Sequence, residues 1–323
     1  MRPLIIALLA LLLPATASAQ ETVLATLDAP APVATYRGVT AWSERDPATG
    51  RFALVTTRGR APVGTRGVPF DVDLGPDGRG GVDAVYSRCR RESGRLDTYG
   101  GLYGRLRGCD IFRLDLDTGR EARLSGSAPR ADEVWPTLWR SRHAFARTYD
   151  RKRGVPYLYV RGERRSIRLP GGPRGQRRRS QPMALELNGL ALAFGWSYQG
   201  NAETPASQLR AAFLGRGQRR VVYQRYAGGG LVGLTLSWPA YGTGGRIHWA
   251  TPLIGEPTSR EGLWSSPLTQ VRPARRPAPE QIVLSHDRHA GTEVVLVDRQ
   301  GVGDCQGDPP VAGGTCELVS RPG

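Results

Sequence analysis

A short pattern of apolar and polar positions recurs six times along the chain. Each copy has two or three apolar or aromatic residues, then a small residue, then a polar turn. The aromatic or leucine position falls at Trp42, Tyr86, Phe145, Phe194, Trp249 and Leu284, at intervals of 44, 59, 49, 55 and 35 residues. Strand-rich repeats of about 40 to 50 residues are typical of propeller blades. The pattern therefore predicts an all-β fold, a six-bladed β-propeller with four-stranded antiparallel blades.

The third and second copies show the order of strands and turns that is expected in one blade. Trp135-Pro136 precedes a strand through Ala144 and Phe145, and a charged turn leads to further short strands. In the second copy, residues 110–126 form a strand, the turn Asp117-Thr118-Gly119 and a return strand. Blades stack around a ring by burying side chains between neighbours. We therefore expect most aromatic residues to serve packing between blades and not a ligand cage.

These two copies resemble the blades of the TolB-like, WD-repeat-like propellers of exported bacterial proteins. The matching residues are Pro136, Trp139, Ala144 and Phe145 in one copy, and Asp110, Ile111, Phe112, Asp115, Leu116, Gly119, Arg123 and Leu124 in the other. The resemblance covers roughly 100 residues. It implies the propeller fold and little about function, because such blades serve scaffolds, receptors and enzymes alike.

The N-terminus has the pattern of a secretory signal peptide. Arg2 supplies a positive charge, ten apolar residues follow from Leu4 to Leu13, and Ala17-Ser18-Ala19 is a small-residue cleavage motif. We expect cleavage before Gln20, a single propeller domain over residues 20–323, and a secreted or periplasmic protein of the cell envelope. No later stretch is apolar enough for a membrane span. The segment from Glu21 to Tyr36 could supply a strand that completes the last blade.

Four cysteines in an exported chain indicate disulfides. Cys89 and Cys109 flank a glycine-rich excursion, and Cys305 and Cys316 flank a Pro/Gly loop. Four cysteines allow three pairings. We expect the two local ones, Cys89–Cys109 and Cys305–Cys316.

The formal net charge of +16 raises the question of an anionic partner. Lys152 is the only lysine among 45 basic residues, which favours the coding bias of a GC-rich genome as the explanation. The densest basic cluster ends in Arg177, Arg178 and Arg179. If these three arginines bind an anion, the expected ligand is an anionic envelope polymer and not nucleic acid.

Candidate chemistry is sparse. The stretch GWSYQG at 195–200 is one residue too long for a hydrolase nucleophile elbow and lies in a strand-rich copy. His286 and His289 flank a predicted turn, where we expect both rings to face solvent, and His143 and His248 lack neighbours at metal-ligand spacing. Paired carboxylates at the channel could support glycoside hydrolysis. The sequence predicts no cofactor and no metal site.

The sequence thus favours an exported, non-catalytic propeller that binds a partner through rim loops and is a monomer. The candidate contact loops are the insertions Arg90–Gly108, Arg161–Gln181 and Tyr198–Gln208. The alternative is a secreted glycan or peptide hydrolase with its site at the channel mouth. Three or more acidic residues clustered at one mouth would favour the enzyme, and a neutral or basic channel would favour binding.

Overall fold

A computed structural model describes the chain at residues 21–27, 31–92, 94–96, 102–104, 106–124, 131–149, 157–163, 166–168, 181–199, 205–215, 219–227, 240–241, 245–251, 262–268, 272–276, 281–287, 289–298 and 316–322. Every regular element assigned there is a β-strand. The strands form six four-stranded sheets and one two-stranded sheet. All pairings are antiparallel, as the short strands and tight turns of the sequence predict.

Five of the six large sheets are built from strands consecutive along the chain or nearly so. The first contains β2 (Ala34–Tyr36), β3 (Val39–Arg45), β4 (Phe52–Thr56) and β5 (Gly59–Arg60); the second contains β6 (Asp73–Pro76), β7 (Val82–Arg91), β10 (Arg107–Asp115) and β11 (Glu121–Arg123). The third contains β12 (Ala131–Trp139), β13 (Arg142–Tyr149), β14 (Tyr157–Val160) and β15 (Ile167–Arg168). The fourth contains β16 (Gln181–Asn188), β17 (Ala191–Gln199), β18 (Pro205–Phe213) and β19 (Arg219–Ala227); the fifth contains β20 (Ala240–Tyr241), β21 (Arg246–Thr251), β22 (Gly262–Pro267) and β23 (Ala274–Arg276).

The last sheet joins the two ends of the described chain. It contains β24 (Gln281–Asp287), β25 (Thr292–Asp298), β26 (Cys316–Pro322) and, as its outer strand, β1 (Thr22–Leu27). Thr22 lies opposite Ser320 and Leu27 opposite Cys316, with a register shift between Val23 and Ala25. The expectation that the N-terminal segment completes the last sheet is confirmed.

The first strand of each sheet faces the next sheet in a closed circle. β2 contacts β6, β6 contacts β12, β12 contacts β16, β16 contacts β20, β20 contacts β24, and β24 contacts β2. This order of contacts is the arrangement of a propeller, and the predicted all-β propeller class is confirmed. Because each sheet is antiparallel and starts with its inner strand, the six inner strands run in the same direction. Their starts share one mouth of the ring and their ends share the other.

The apolar core lies between neighbouring sheets. One cluster joins the first and second sheets through residues such as Leu54, Phe70 and Leu114. The others join the third and fourth, the fourth and fifth, and the last and first. The repeat positions with a described environment are all buried, at Trp42, Tyr86, Phe145, Phe194 and Trp249. Their predicted packing role is confirmed, while the side chain of Leu284 lies outside the described residues.

The second and third sheets approach each other unusually closely. A Cβ atom added to Gly75 in β6 would lie 2.4 Å from the carbonyl oxygen of Leu138 in β12. β12 carries a register shift between Val134 and Thr137, and Trp135 adopts a positive φ of 55° there. The bulge turns backbone amides of β12 toward β6, where side chains of the second sheet accept their hydrogen bonds.

Candidate functional site

A hairpin projects from the second sheet at the mouth where the inner strands start. β7 and β10 extend past the start of β6, since Asp73 lies opposite Val85 while β7 continues to Arg91. Beyond them, β8 (Gly94–Leu96) and β9 (Leu102–Gly104) pair as a separate two-stranded sheet. This element lies within the insertion Arg90–Gly108 that the sequence singles out as a contact loop.

A disulfide closes the base of this hairpin. Cys89 and Cys109 lie directly opposite each other in β7 and β10 and are bonded, which confirms the first predicted pair. The bond closes a loop with a sequence separation of 20 residues. Cys316 is buried at the start of β26, whereas Cys305 lies outside the described residues, so the second pair stays a prediction.

Two carboxylates fix the hairpin on either side of the disulfide. Glu92 accepts hydrogen bonds from the Arg66 Nε at 2.8 Å, from the Gly67 amide at 2.9 Å and from the Cys89 amide at 3.4 Å. On the other side, Asp132 of the third sheet accepts from the amides of Gly108 at 2.6 Å and Cys109 at 3.3 Å. The hairpin is therefore attached to its own sheet, to the preceding connection and to the next sheet.

Arg107 adds an ion pair to the attachment that Asp132 makes. Its Nη1 lies 3.1 Å from Asp132 Oδ2. The Asp132 side chain is 13% exposed, so the pair is partly shielded from solvent. Charge-assisted hydrogen bonds of this kind are stronger than neutral ones. This pair adds to the attachment of the hairpin base.

A buried network lies beneath the hairpin. The Arg66 guanidinium is 3% exposed and lies between Glu92 and Asp71, 3.4 Å from the Asp71 Oδ1. Asp71 also accepts hydrogen bonds from the Ser87 amide at 2.8 Å, the Ser87 hydroxyl at 2.7 Å and the Trp135 amide at 2.8 Å. One carboxylate thus connects two sheets and the segment between them.

Four carboxylates gather at this mouth, which the sequence could not show. Asp71 and Asp73 flank the start of β6, and Asp132 and Glu133 lie at the start of β12. Asp73 accepts from the Leu138 amide at 2.9 Å, and Glu133 pairs with Arg147 at 2.8 Å. The side chains of Asp71 and Glu133 are 0% and 2% exposed. Their observed contacts are with backbone amides and arginines.

The four histidines occupy different environments. His289 is exposed in the turn after β24, as expected, whereas His286 is 6% exposed, so the prediction that its ring faces solvent is wrong. His286 lies in the inner strand of the last sheet, where the neighbouring fifth sheet covers it, and its ring is 4.9 Å from that of His248. Burial lowers the pKa of His286, while Glu293 and Asp287 act in the opposite direction. Among the described residues, no group of three or more His, Cys, Asp or Glu side chains could hold a metal ion.

Acid should destabilise the protein through His143. This residue is 1% exposed in β13, its Nε2 has no hydrogen-bond partner in the described structure, and burial lowers its pKa to about 4, with Arg161 and Arg113 adding to the effect. Because the folded pKa lies below the unfolded value of about 6.5, the unfolded state binds more protons between the two. His143 therefore stabilises the fold above about pH 6.5, and about 3 kcal/mol is lost as the pH falls toward 4.

Urea unfolding at several pH values checks this expectation. The fall in the free energy of unfolding between pH 7 and pH 4.5 should shrink in His143→Gln and remain in His289→Gln, whose ring is exposed. An unchanged pH slope in His143→Gln would contradict the assignment.

The structure also bears on the predicted GWSYQG stretch and on the predicted basic cluster and contact loops. Ser197 lies within β17, paired with Gln181 on one side and Ser207 on the other, so GWSYQG is part of a strand and not a strand-to-helix elbow. Arg177, Arg178 and Arg179 lie outside the described residues, as do most of the loop Arg161–Gln181 and part of Tyr198–Gln208. No helix in the described part of the chain is long and apolar enough to cross a membrane.

Comparisons with known proteins give the fold. No protein-family model matches the chain, and no curated protein sequence matches it. The structure is similar to an α-L-arabinanase of Penicillium chrysogenum complexed with arabinobiose, with 13% identity, 92% of this chain and 91% of that chain covered, and a TM-score of 0.50. At this identity the likeness shows the propeller fold alone.

Two peptidase structures also match part of their length. A puromycin-hydrolysing peptidase of Mycobacterium tuberculosis matches with 12% identity over 82% of this chain and 42% of that chain, at a TM-score of 0.45. A prolyl endopeptidase matches with 9% identity over 82% of this chain and 39% of that chain, at a TM-score of 0.43. The chain therefore spans about two fifths of each peptidase.

Proposed function

We propose that this protein is an exported, non-catalytic β-propeller that acts as a binding or scaffold module through the hairpin and neighbouring rim loops at the mouth where the inner strands start. The observation that carries the proposal is the attachment of the hairpin. A disulfide and the carboxylates of Glu92 and Asp132 hold a projecting element on a rigid ring. Rigid presentation of a loop lowers the entropy lost when a partner binds.

The architecture and location complete the proposal. The six four-stranded sheets are six blades of one domain over residues 20–323, related to the TolB-like, WD-repeat-like propellers and closed by β1. The Cys89–Cys109 bond supports an oxidising compartment, hence a signal peptide over residues 1–19 and a secreted or periplasmic location. The partner is a protein or an anionic envelope polymer, the second disulfide is Cys305–Cys316, and the protein is a monomer.

The composition of the hairpin suits recognition. Residues 94–104 read GRLDTYGGLYG, with two tyrosines, two leucines and an arginine in eleven residues. Tyrosine and arginine are enriched among residues that dominate binding energies. These residue types favour contact with a protein surface or a polymer.

A second candidate function is a glycan or peptide hydrolase at the same mouth. The gathering of Asp71, Asp73, Asp132 and Glu133 favours it, because a pair of carboxylates is the usual machinery of glycoside hydrolysis. The burial of Asp71 and Glu133 and their bonds to backbone and arginine favour the binding function. Turnover of oligosaccharide or peptide substrates that is lost in Asp132→Asn, with the fold intact, would select the enzyme.

Replacing the hairpin tip tests the binding function. The variant substitutes residues 94–104 by a short Gly-Ser linker and keeps Cys89 and Cys109, so the disulfide still closes the base. Capture from the native cell envelope by the immobilised protein should fall about tenfold or more, since hot-spot contacts each contribute about 1.4 kcal/mol or more. The melting temperature should stay within a few degrees, because the disulfide and the bonds of Glu92 and Asp132 at the base are retained.

A matched change on the outer turn of the same sheet controls for loop replacement as such. Replacing Asp117-Thr118-Gly119 of the β10–β11 turn by Gly-Ser-Gly should leave capture unchanged. Capture that survives loss of the tip would overturn the proposal for this hairpin.

A further inference from the structure

The opposite mouth of the ring is bordered by the turns that follow the inner strands. The described ones, which belong to the first, second, third, fourth and last sheets, are Arg37–Gly38, Asp77–Gly81, Arg140–Ser141, Gly189–Leu190 and His289–Gly291, and we call them the turn mouth. Side chains from different sheets meet here. The Tyr36 ring lies 4.9 Å from that of His289 and 6.4 Å from that of Trp139, so turns of the first, third and last sheets converge.

Three arginines of the turn mouth are exposed. They are Arg37, Arg79 and Arg140, one from each of the first three sheets. The Arg37 Nη1 donates to the Gly80 carbonyl at 2.6 Å, which places its guanidinium over the turn that carries Arg79. Within the described part of the chain, none of the three forms an ion pair with a carboxylate. Three positive charges are therefore available to solvent around one opening.

Two of these arginines hold an unfavourable backbone conformation. Arg37 has φ of 51° and Arg140 has φ of 58°, in the left-handed region. Both occupy the first position of a two-residue turn, and the equivalent position of the fourth sheet is Gly189, with φ of 61°. Glycine adopts this conformation without strain, whereas arginine does not. Strained non-glycine residues cluster at functional sites, and two of the three described here are these arginines.

Aromatic rings form the floor between the charges. Tyr36 is 4% exposed, and the Arg37 guanidinium lies 5.8 Å from its ring centroid. Trp139 is half-buried, with part of its side chain packed against two core clusters, and His289 is exposed. An aromatic surface beside guanidinium groups offers a stacking face together with charged donors.

The carboxylates of the turn mouth are occupied by backbone amides. Asp77 accepts from Arg79 N at 2.6 Å and Gly81 N at 2.9 Å. Asp287 is buried and accepts from the amides of Gly38, His289 and Ala290. Both carboxylates stabilise turns, and the exposed positive charges of the described turn mouth are those of the three arginines.

We infer that the turn mouth is a binding site for an anionic saccharide, with Arg37, Arg79 and Arg140 pairing with its acidic groups and Trp139 stacking on a sugar ring. Guanidinium groups bind carboxylates through two parallel hydrogen bonds. The site lies at the other end of the ring from the hairpin and does not depend on the function proposed for that mouth.

The left-handed turn positions provide a clean test. The double variant Arg37→Gly/Arg140→Gly removes both guanidinium groups. Glycine also favours the left-handed backbone conformation that both positions adopt. Titration calorimetry with oligogalacturonate should show that the dissociation constant rises by about 10- to 100-fold. The melting temperature should remain the same or rise. Wild type should not bind neutral galactan oligosaccharides.

A charge-matched double variant separates a site from general attraction. Arg60→Ala/Arg120→Ala removes two exposed arginines that lie outside both the turn mouth and the hairpin, and it should bind as wild type does. An equal loss of affinity in both double variants, or no binding of oligogalacturonate by wild type, would overturn the inference. Competition by inorganic phosphate at the same molar concentration as the saccharide would also overturn it, since it would indicate a site for any small anion. If the glycine variant unfolds, Arg79→Ala, which leaves the strained positions unchanged, gives the same comparison.

Discussion

Asp71→Ala is expected to lower the free energy of unfolding by about 3–5 kcal/mol, since it removes a buried carboxylate from an ion-pair network and leaves Arg66 paired with Glu92 alone among the described carboxylates. The partner here is Arg66, with a side chain that is 3% exposed. The same change leaves the amides of Ser87 and Trp135 without the oxygens that accept their hydrogen bonds. Buried donors that lose their acceptors carry a desolvation penalty of their own.

Two variants separate charge from hydrogen bonding and from surface effects. Asp71→Asn keeps the side-chain volume and one acceptor oxygen. It should therefore lower the free energy of unfolding, but by less than Asp71→Ala does. Asp117→Ala removes a carboxylate whose pair with Arg58 is about half exposed, and its cost should stay below about 1 kcal/mol. Urea unfolding of the disulfide-bonded protein measures all three. A loss below about 1 kcal/mol in Asp71→Ala would show that the network contributes little.

The propeller could be predicted from sequence because its repeated elements are local. The aromatic positions Trp42, Tyr86, Phe145, Phe194 and Trp249 mark strands whose burial repeats from sheet to sheet. The disulfide between Cys89 and Cys109 could also be predicted from the sequence, because both cysteines flank one excursion of the chain. Local signals of this kind reflect strand pairing and packing, which every blade must satisfy.

The hydrogen bonds that attach the hairpin, and those of the buried network beneath it, could not be predicted, because their partners are distant along the chain. Asp132 and Gly108 are 24 residues apart, and Asp71 and Trp135 are 64 residues apart. The sequence around an acidic residue near the start of a strand does not show which distant amide or arginine its carboxylate will contact. The closest available signal is the pair Asp71 and Asp73 at the start of one inner strand and the pair Asp132 and Glu133 at the start of the next.

His286 shows a related limit. Its position beside a turn predicts exposure, yet the fifth sheet packs against the inner strand that carries it. Burial between sheets depends on how neighbouring repeats stack and not on the residues nearby in sequence. The same reasoning applies to the turn mouth, where turns of different sheets come together only after the ring closes.

Deleting Thr22–Leu27 is expected to have the largest effect of any change considered, because β1 closes the last sheet. The deletion exposes the edge of β26 and removes Leu27, which is 5% exposed and packs with Val294 and Leu318. Propellers depend on a closed circle of sheets to avoid open edges. The shortened chain should lose its cooperative unfolding transition or melt more than about 10 °C lower, which corresponds to a loss of several kcal/mol for a domain of this size.

Point variants within β1 distinguish closure from simple loss of chain. Leu27→Ala should cost about 2–5 kcal/mol by leaving a cavity beside the last sheet, whereas Val23→Ala, at a side chain that is 51% exposed, should cost less than about 0.5 kcal/mol. A synthetic peptide spanning residues 20–33 should raise the melting temperature of the deleted chain, because it can pair with β26 in the register that β1 uses. Circular dichroism and calorimetry of the deletion, with and without peptide, decide the question. An unchanged transition after deletion would show that the ring is held by contacts between inner strands alone.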